Sequence, residues 1–159
     1  MPLTIKAKDS EKSFEQHPEG IFNACVVEIR DKKADGSPML SSFNDGDGPK
    51  KRVALIFQTE AEIVGEDGPS GHYTIWDFHN IPSNLGNPKA TLHKRINQIA
   101  GEGSIKSGVI NVDELIMEKP VKITVAHKDS GRAEIVSCRA LKANEMDKAW
   151  KPVDYNKPF

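Results

Sequence analysis

The sequence predicts an all-β domain interrupted once by a helix. Three observations carry this. Five stretches rich in β-branched and aromatic residues lie between clusters of Gly, Pro, Asn, Asp and Ser, the pattern of strands separated by turns. Only residues 88–100 switch from a period of two to the helical spacing of three and four. A chain of 159 residues has room for one domain with short tails.

The first strand is expected over residues 21–30, where Val27 and Ile29 alternate with Glu28 and Arg30. The segment DKKADGSPMLSSFNDGDGPKK that follows reads as a long loop, and a loop of that length in a small domain is functional or disordered. The second strand, residues 52–64, sets Val53, Leu55 and Phe57 on one face at period two. A Gly-rich turn at 65–71 leads to the third strand, 72–80, which carries Tyr73, Trp76 and Phe78; the two should form an antiparallel hairpin.

The helix is expected from 88 to 100. Asn87 can cap it, Pro88 suits the first helical position, and Gly101 suits the C-terminal cap. Leu92, Ile96 and Ile99 form its apolar face, opposite Lys89, His93, Lys94 and Gln98. Val112, Leu115 and Ile116 suggest a short helical turn within the connection that follows. Residues 121–127 alternate cleanly, with Val121, Ile123 and Val125 against Lys122, Thr124 and Ala126. The turn HKDSGR leads into a fifth strand over 133–141. The predicted organisation is a polar arm (1–19), a domain (20–142) and a C-terminal tail (143–159). Three strands, a helix and two strands is the element order of the OB-fold, a five-stranded Greek-key barrel with its helix between strands three and four.

The composition narrows function. No apolar run approaches the roughly 20 residues needed to cross a bilayer, and the first 16 residues lack a signal-peptide pattern. The expectation is a cytoplasmic protein with no membrane partner. Cys25 and Cys138 are far apart and read as small buried side chains in a reducing compartment. His17, His72, His79, His93 and His127 show no metal-ligand spacing and read as polar surface residues. The NDGDG run lacks the spacing of a calcium loop. No phosphate loop and no G-x-S-x-G elbow is present. No enzyme activity, metal or cofactor is therefore expected.

Binding is better supported. Single-strand binders pair a cationic groove with aromatic rings that stack on bases. The candidate cations are Lys32 and Lys33, then Lys50, Lys51 and Arg52, then Lys89, Lys94 and Arg95 on the helix, and Lys122, Lys128, Arg132 and Arg139 on the last two strands and their turn. The candidate stackers are Tyr73, Trp76 and Phe78. Parity puts Trp76 and Phe78 on one face and Tyr73 on the other, so if one set is core the other is exposed. The net charge of −1 hides an asymmetry. Residues 1–87 carry 9 basic and 14 acidic side chains, and residues 88–142 carry 10 and 6. Any cationic groove should then be local, built chiefly from the helix and last two strands, with modest affinity and a small salt slope.

The segments PEGIFNACVVEIRD, KKRVALIFQTE, IPSNLGNPKATLHKRINQIAG and INVDELIMEKPVKITVAHKDSGRAEIVSCRAL resemble phage- and prophage-encoded OB-fold single-stranded-DNA-binding proteins of replication and recombination modules. Gly20 and Ala24, Leu92 to Gly101, Leu115 to Val125, and Gly131 to Ile135 stand where that family has its opening strand, helix, Lys-Pro entry and closing hairpin. The resemblance implies single-stranded DNA as partner. The terminal Lys157-Pro158-Phe159 resembles the Pro-Phe tip by which bacterial single-strand binders dock replication or recombination proteins, with Trp150, Tyr155 and Phe159 as docking candidates. Those tips are acidic, whereas this tail balances three acids with three lysines. Homo-oligomerisation is compatible with this reading, because several barrels raise affinity. The rival expectation is a phage structural or adaptor protein that uses the barrel as a protein-interaction scaffold.

Overall fold

The computed structural model describes residues 16–44, 49–65, 68–108, 110–148 and 150. The strands are β1 (Gly20–Arg30), β2 (Leu40–Asn44), β3 (Pro49–Gly65), β4 (Gly68–Asn80), β5 (Val121–His127) and β6 (Ala133–Ala140). Helix α1 (Thr91–Ala100) and the short α2 (Val112–Ile116) lie between β4 and β5, and a 3-10 turn spans Ala143–Lys148.

All strand pairings in the sheet are antiparallel, in the order β2-β3-β1-β5-β6 with β4 on β3. The long β3 holds the sheet together, because it pairs with β4 over Arg52 to Gly65 and with β1 over Ala54 to Thr59. The sheet curls until β4 and β6 approach within 8 Å between Cα atoms, giving a mostly antiparallel, barrel-like domain. Its core combines Val53, Leu55 and Phe57 of β3, Val121, Ile123 and Val125 of β5, and Leu92, Ile96 and Ile99 of α1. Each such side chain, fully buried, contributes about 1.5–3 kcal/mol of transfer free energy. Among the described residues, no helix is long and apolar enough to cross a membrane.

The structure corrects several expectations. The predicted loop after β1 contains a sixth strand. Met39 is buried, its N–H donates to the Asp31 carbonyl (3.1 Å), and its carbonyl accepts from Arg52 N–H (2.8 Å). Helix α1 starts three residues late. Asn87 does not cap it; its side-chain oxygen takes the Lys89 N–H (3.1 Å) in a local turn, leaving Ala90 as an N-cap without a side-chain bond. Gly101 does close the helix, with φ of 104°.

A bulge interrupts β1 between Val26 and Glu28, and beyond it the expected alternation of Ile29 against Glu28 and Arg30 holds. Before it, Ala24 and Val26 face the core; after it, Ile29 does, opposite Leu55. The extra residue reverses the phase of the strand, so Glu28 and Arg30 face outward. The Val26 carbonyl accepts from Glu118 N–H (2.9 Å), which ties the bulge to the end of α2.

Two histidines expected at the surface are buried. His17, at the end of the predicted polar arm, is 2% exposed. Its Nδ1 donates to the Pro18 carbonyl (2.8 Å) and its Nε2 accepts from the Thr59 hydroxyl (2.6 Å). Gln16 and Glu19 side chains accept from the Ala133 and His127 N–H groups, so residues 16–19 dock across the β5–β6 hairpin. His79 is the other buried histidine. Both cysteines are free and buried, as expected; burial pushes the Cys25 thiol up to about 12 and the Cys138 thiol up to about 11.

Candidate nucleic-acid interface

The outer face of the β3–β4 hairpin carries the site. Register pairs Ile56 with Trp76, Ala54 with Phe78 and Arg52 with Asn80. On the other edge of β3, Glu28 lies opposite Ile56 and Arg30 opposite Ala54. Ile75, the residue before Trp76, is buried in the core. The parity question is thereby resolved: Trp76 and Phe78 point outward, and Tyr73 points inward against His17 (ring centroids 5.5 Å).

Ala54 and Ile56 also point outward, yet they are 0% and 4% exposed. The rings and arginine stems of this face cover them. Trp76 itself remains 40% exposed, and its ring centroid lies 5.9 Å from that of Phe78. The pair thus forms an aromatic platform on a small apolar floor.

Three guanidiniums stand over this platform. Arg30 lies 5.3 Å from the Trp76 centroid, and Arg52 and Arg132 lie 4.3 and 5.4 Å from that of Phe78. Each such contact at an exposed site is worth about 0.5–1 kcal/mol. Arg132 arrives from the β5–β6 turn. Gly131 takes φ of 88° there, and the Lys128 N–H donates to the Arg132 carbonyl (2.9 Å), which sets Lys128 beside Arg132 at the mouth of the hairpin. A recess of about 210 Å³ opens between β4 and this turn, lined by Arg52, Phe78, Lys128 and Arg132 among others.

The charges on the face are unequal in their partners. Arg30 Nη2 donates to both Glu28 carboxylate oxygens (2.9 and 3.1 Å). Lys128 leans on Glu134 (3.4 Å). Arg52 and Arg132 make no ion pair with any described residue.

Of the residues singled out from sequence, Arg52, Trp76, Phe78, Lys128 and Arg132 come together here. The rest sit elsewhere. Lys50 and Lys51 are exposed at the start of β3 and line a separate depression with Ile81 and Thr91. Lys32 and Lys33 are exposed beyond β1, and Lys89 and Lys94 are exposed before and on α1. Arg95 is 12% exposed and donates through Nε to Asp77 (2.8 Å), whose carboxylate also accepts from His79 Nε2 (2.6 Å). His79 Nδ1 pairs with the Thr91 hydroxyl (2.9 Å). This buried network pins α1 to β4.

Lys122 and Arg139 are cross-strand partners, a like-charge pair that is unfavourable alone. Glu145 lies between them, bound by Arg139 through both oxygens (2.7 and 2.9 Å) and by Lys122 (3.5 Å). The Arg139 hydrogen bonds, aided by the Lys142 N–H, hold the Glu145 carboxyl well below the usual carboxylate range. Trp150 packs edge-on against His72 (5.1 Å); Tyr155 and Phe159 lie outside the described residues.

The expectation that the helix would furnish the cations does not hold at the platform. Arg30 and Arg52 come from β1 and β3, in the acidic half of the chain. Arg30 is not among the candidate cations, although its alternation with Ile29 already puts it on the outer face with Glu28. Among the described residues, no group of three or more His, Cys, Asp or Glu is placed to hold a metal ion. Comparison with protein families, curated proteins and solved structures finds no match to this chain.

Proposed function

We propose that this protein is a non-catalytic single-stranded-DNA-binding protein built on an OB-fold Greek-key barrel. The observation that carries the reading is the outward Trp76–Phe78 pair beneath arginines from three different elements. An exposed ring with unneutralised cations near it is the surface that single-strand binders use: bases stack on rings, and cations release counterions from the phosphates.

The strand order supports the fold assignment. With β2 set aside as a loop strand, the five long strands run third-second-first-fourth-fifth, the two end strands approach, and the helix follows the third. In OB-folds the face of strands two and three, with the loops after strands one and four, binds oligonucleotides. Here those parts are the β3–β4 face, the segment after Arg30, and the Lys128–Arg132 turn. The reading extends to the phage and prophage replication or recombination class, working in the host cytoplasm.

Fluorescence anisotropy with oligo-dT and with a duplex of equal length, across a salt series, tests it. The expected result is preferential oligo-dT binding that weakens with salt. Equal and feeble binding to both at low salt would overturn it and favour a protein-interaction scaffold.

A further inference from the structure

We propose that the platform is a nucleotide subsite with divided labour: a backbone phosphate lodges between Arg52 and Arg132, and a base takes the face of Trp76 that Arg30 covers in the free protein. This rests on the single-strand reading above and assigns roles within it.

The phosphate seat follows from charge. Arg52 and Arg132 share one ring, at 4.3 and 5.4 Å from the Phe78 centroid. Two like charges over one ring repel, and neither has a carboxylate partner among the described residues. An anion between them removes that repulsion. The guanidinium fork matches phosphate geometry, and the recess of about 210 Å³ lined by both arginines and Lys128 has room for the group. The Asp77 and Glu134 carboxylates that also line it are engaged, Asp77 by Arg95 and His79, and Glu134 by Lys128.

The stacking seat follows from the contrast at Arg30. Its charge is already satisfied by Glu28, at 2.9 and 3.1 Å. Its guanidinium carbon lies over the Trp76 ring, 5.3 Å from the centroid, on a face that a stacked base would take. Base stacking on tryptophan outweighs a single exposed cation–π contact. A base therefore displaces Arg30 from the ring, while Glu28 keeps that charge away from the phosphates. Arg52 and Arg132 carry the salt dependence, Trp76 carries a salt-independent share, and Glu28 restrains the whole.

The test uses the full chain with Trp150→Phe, which leaves Trp76 as the remaining tryptophan. Oligo-dT should quench Trp76 emission. Arg52→Gln and Arg132→Gln should each reduce the salt slope by about 0.7 and leave the quench amplitude intact, and Arg52→Lys should keep the slope. Trp76→Leu, followed by anisotropy, should weaken binding about 5- to 150-fold with an unchanged slope. Glu28→Gln should tighten binding and steepen the slope, whereas Glu102→Gln, an exposed acid beyond α1, should do neither. Oligo-dT binding with unchanged slopes in both arginine variants, or with silent Trp76 emission, would overturn the subsite alone. Failure of the parent chain to bind oligo-dT would overturn the single-strand reading itself.

Discussion

Arg52 and Arg95 look alike in the sequence: each is a basic residue next to lysine in a segment that alternates or repeats. The structure gives them opposite work. Arg52 spreads over the half-buried Phe78 ring, and Arg95, 12% exposed, is paired with Asp77. Removing one partner of a buried ion pair costs about 3–5 kcal/mol, and the low end applies here because Asp77 keeps its His79 bond. Arg95→Ala should lower stability in urea denaturation by that order, with the salt slope of oligo-dT binding unchanged. His17 supplies a pH dependence. Burial holds its imidazole below the ordinary 6.5, with His127 adding to this and the Pro18 carbonyl opposing it. The unfolded chain therefore takes up a proton that the folded chain resists. Stability should fall as pH drops through about 6.5 and level off once the folded-state group also protonates. His17→Gln should flatten that part of the urea-midpoint profile, whatever it does to the midpoint itself. Side-chain parity on β4 was readable from sequence. Which parity faced solvent was not, because burial of Ile75 depends on α1 and β5 arriving on that side.

At the scale of elements, the alternating runs became strands within one or two residues for β1, β5 and β6, because period-two burial in a sheet leaves a direct imprint. The misreadings fall where local hydrogen bonding competes with the pattern. Asn87 closes a turn instead of capping α1, and the SSFN run of β2 has too little alternation to betray a strand that only β3 stabilises. The β1 bulge leaves no sequence mark, yet it decides that Arg30 reaches Trp76. The β5–β6 turn was readable from its Asp-Ser-Gly run. Gly131 holds φ of 88°, and a Cβ there would meet nothing within 4 Å. The cost of Gly131→Ala is therefore backbone strain alone, about 1–2 kcal/mol in thermal or urea unfolding. Because the turn aims Arg132, the same variant should also weaken oligo-dT binding in anisotropy measurements.

For the molecule as a whole, near-neutral charge and local basicity coexist because ion pairs absorb several of the cations near the rings and beyond. Lys122 and Arg139 are held by Glu145, Arg95 by Asp77 and Arg30 by Glu28. With Arg52 and Arg132 unpaired among the described residues, and Lys128 in an exposed pair with Glu134 that a phosphate can displace, the slope of log K against log salt for oligo-dT should be about −2. A slope several times steeper would mean that the exposed lysines of α1 or of the β3 entrance also track the backbone. The sequence by itself determined the strand-rich class, the single long helix with its Leu92, Ile96 and Ile99 face, and the two hairpins, because these rest on periodicity and turn chemistry within a few neighbouring residues. Only the tertiary structure decided which cations meet which rings. Arg30, Arg52 and Arg132 are brought together by a bulge, a strand register and a curled sheet, and those depend on residues distant in the chain packing around one core.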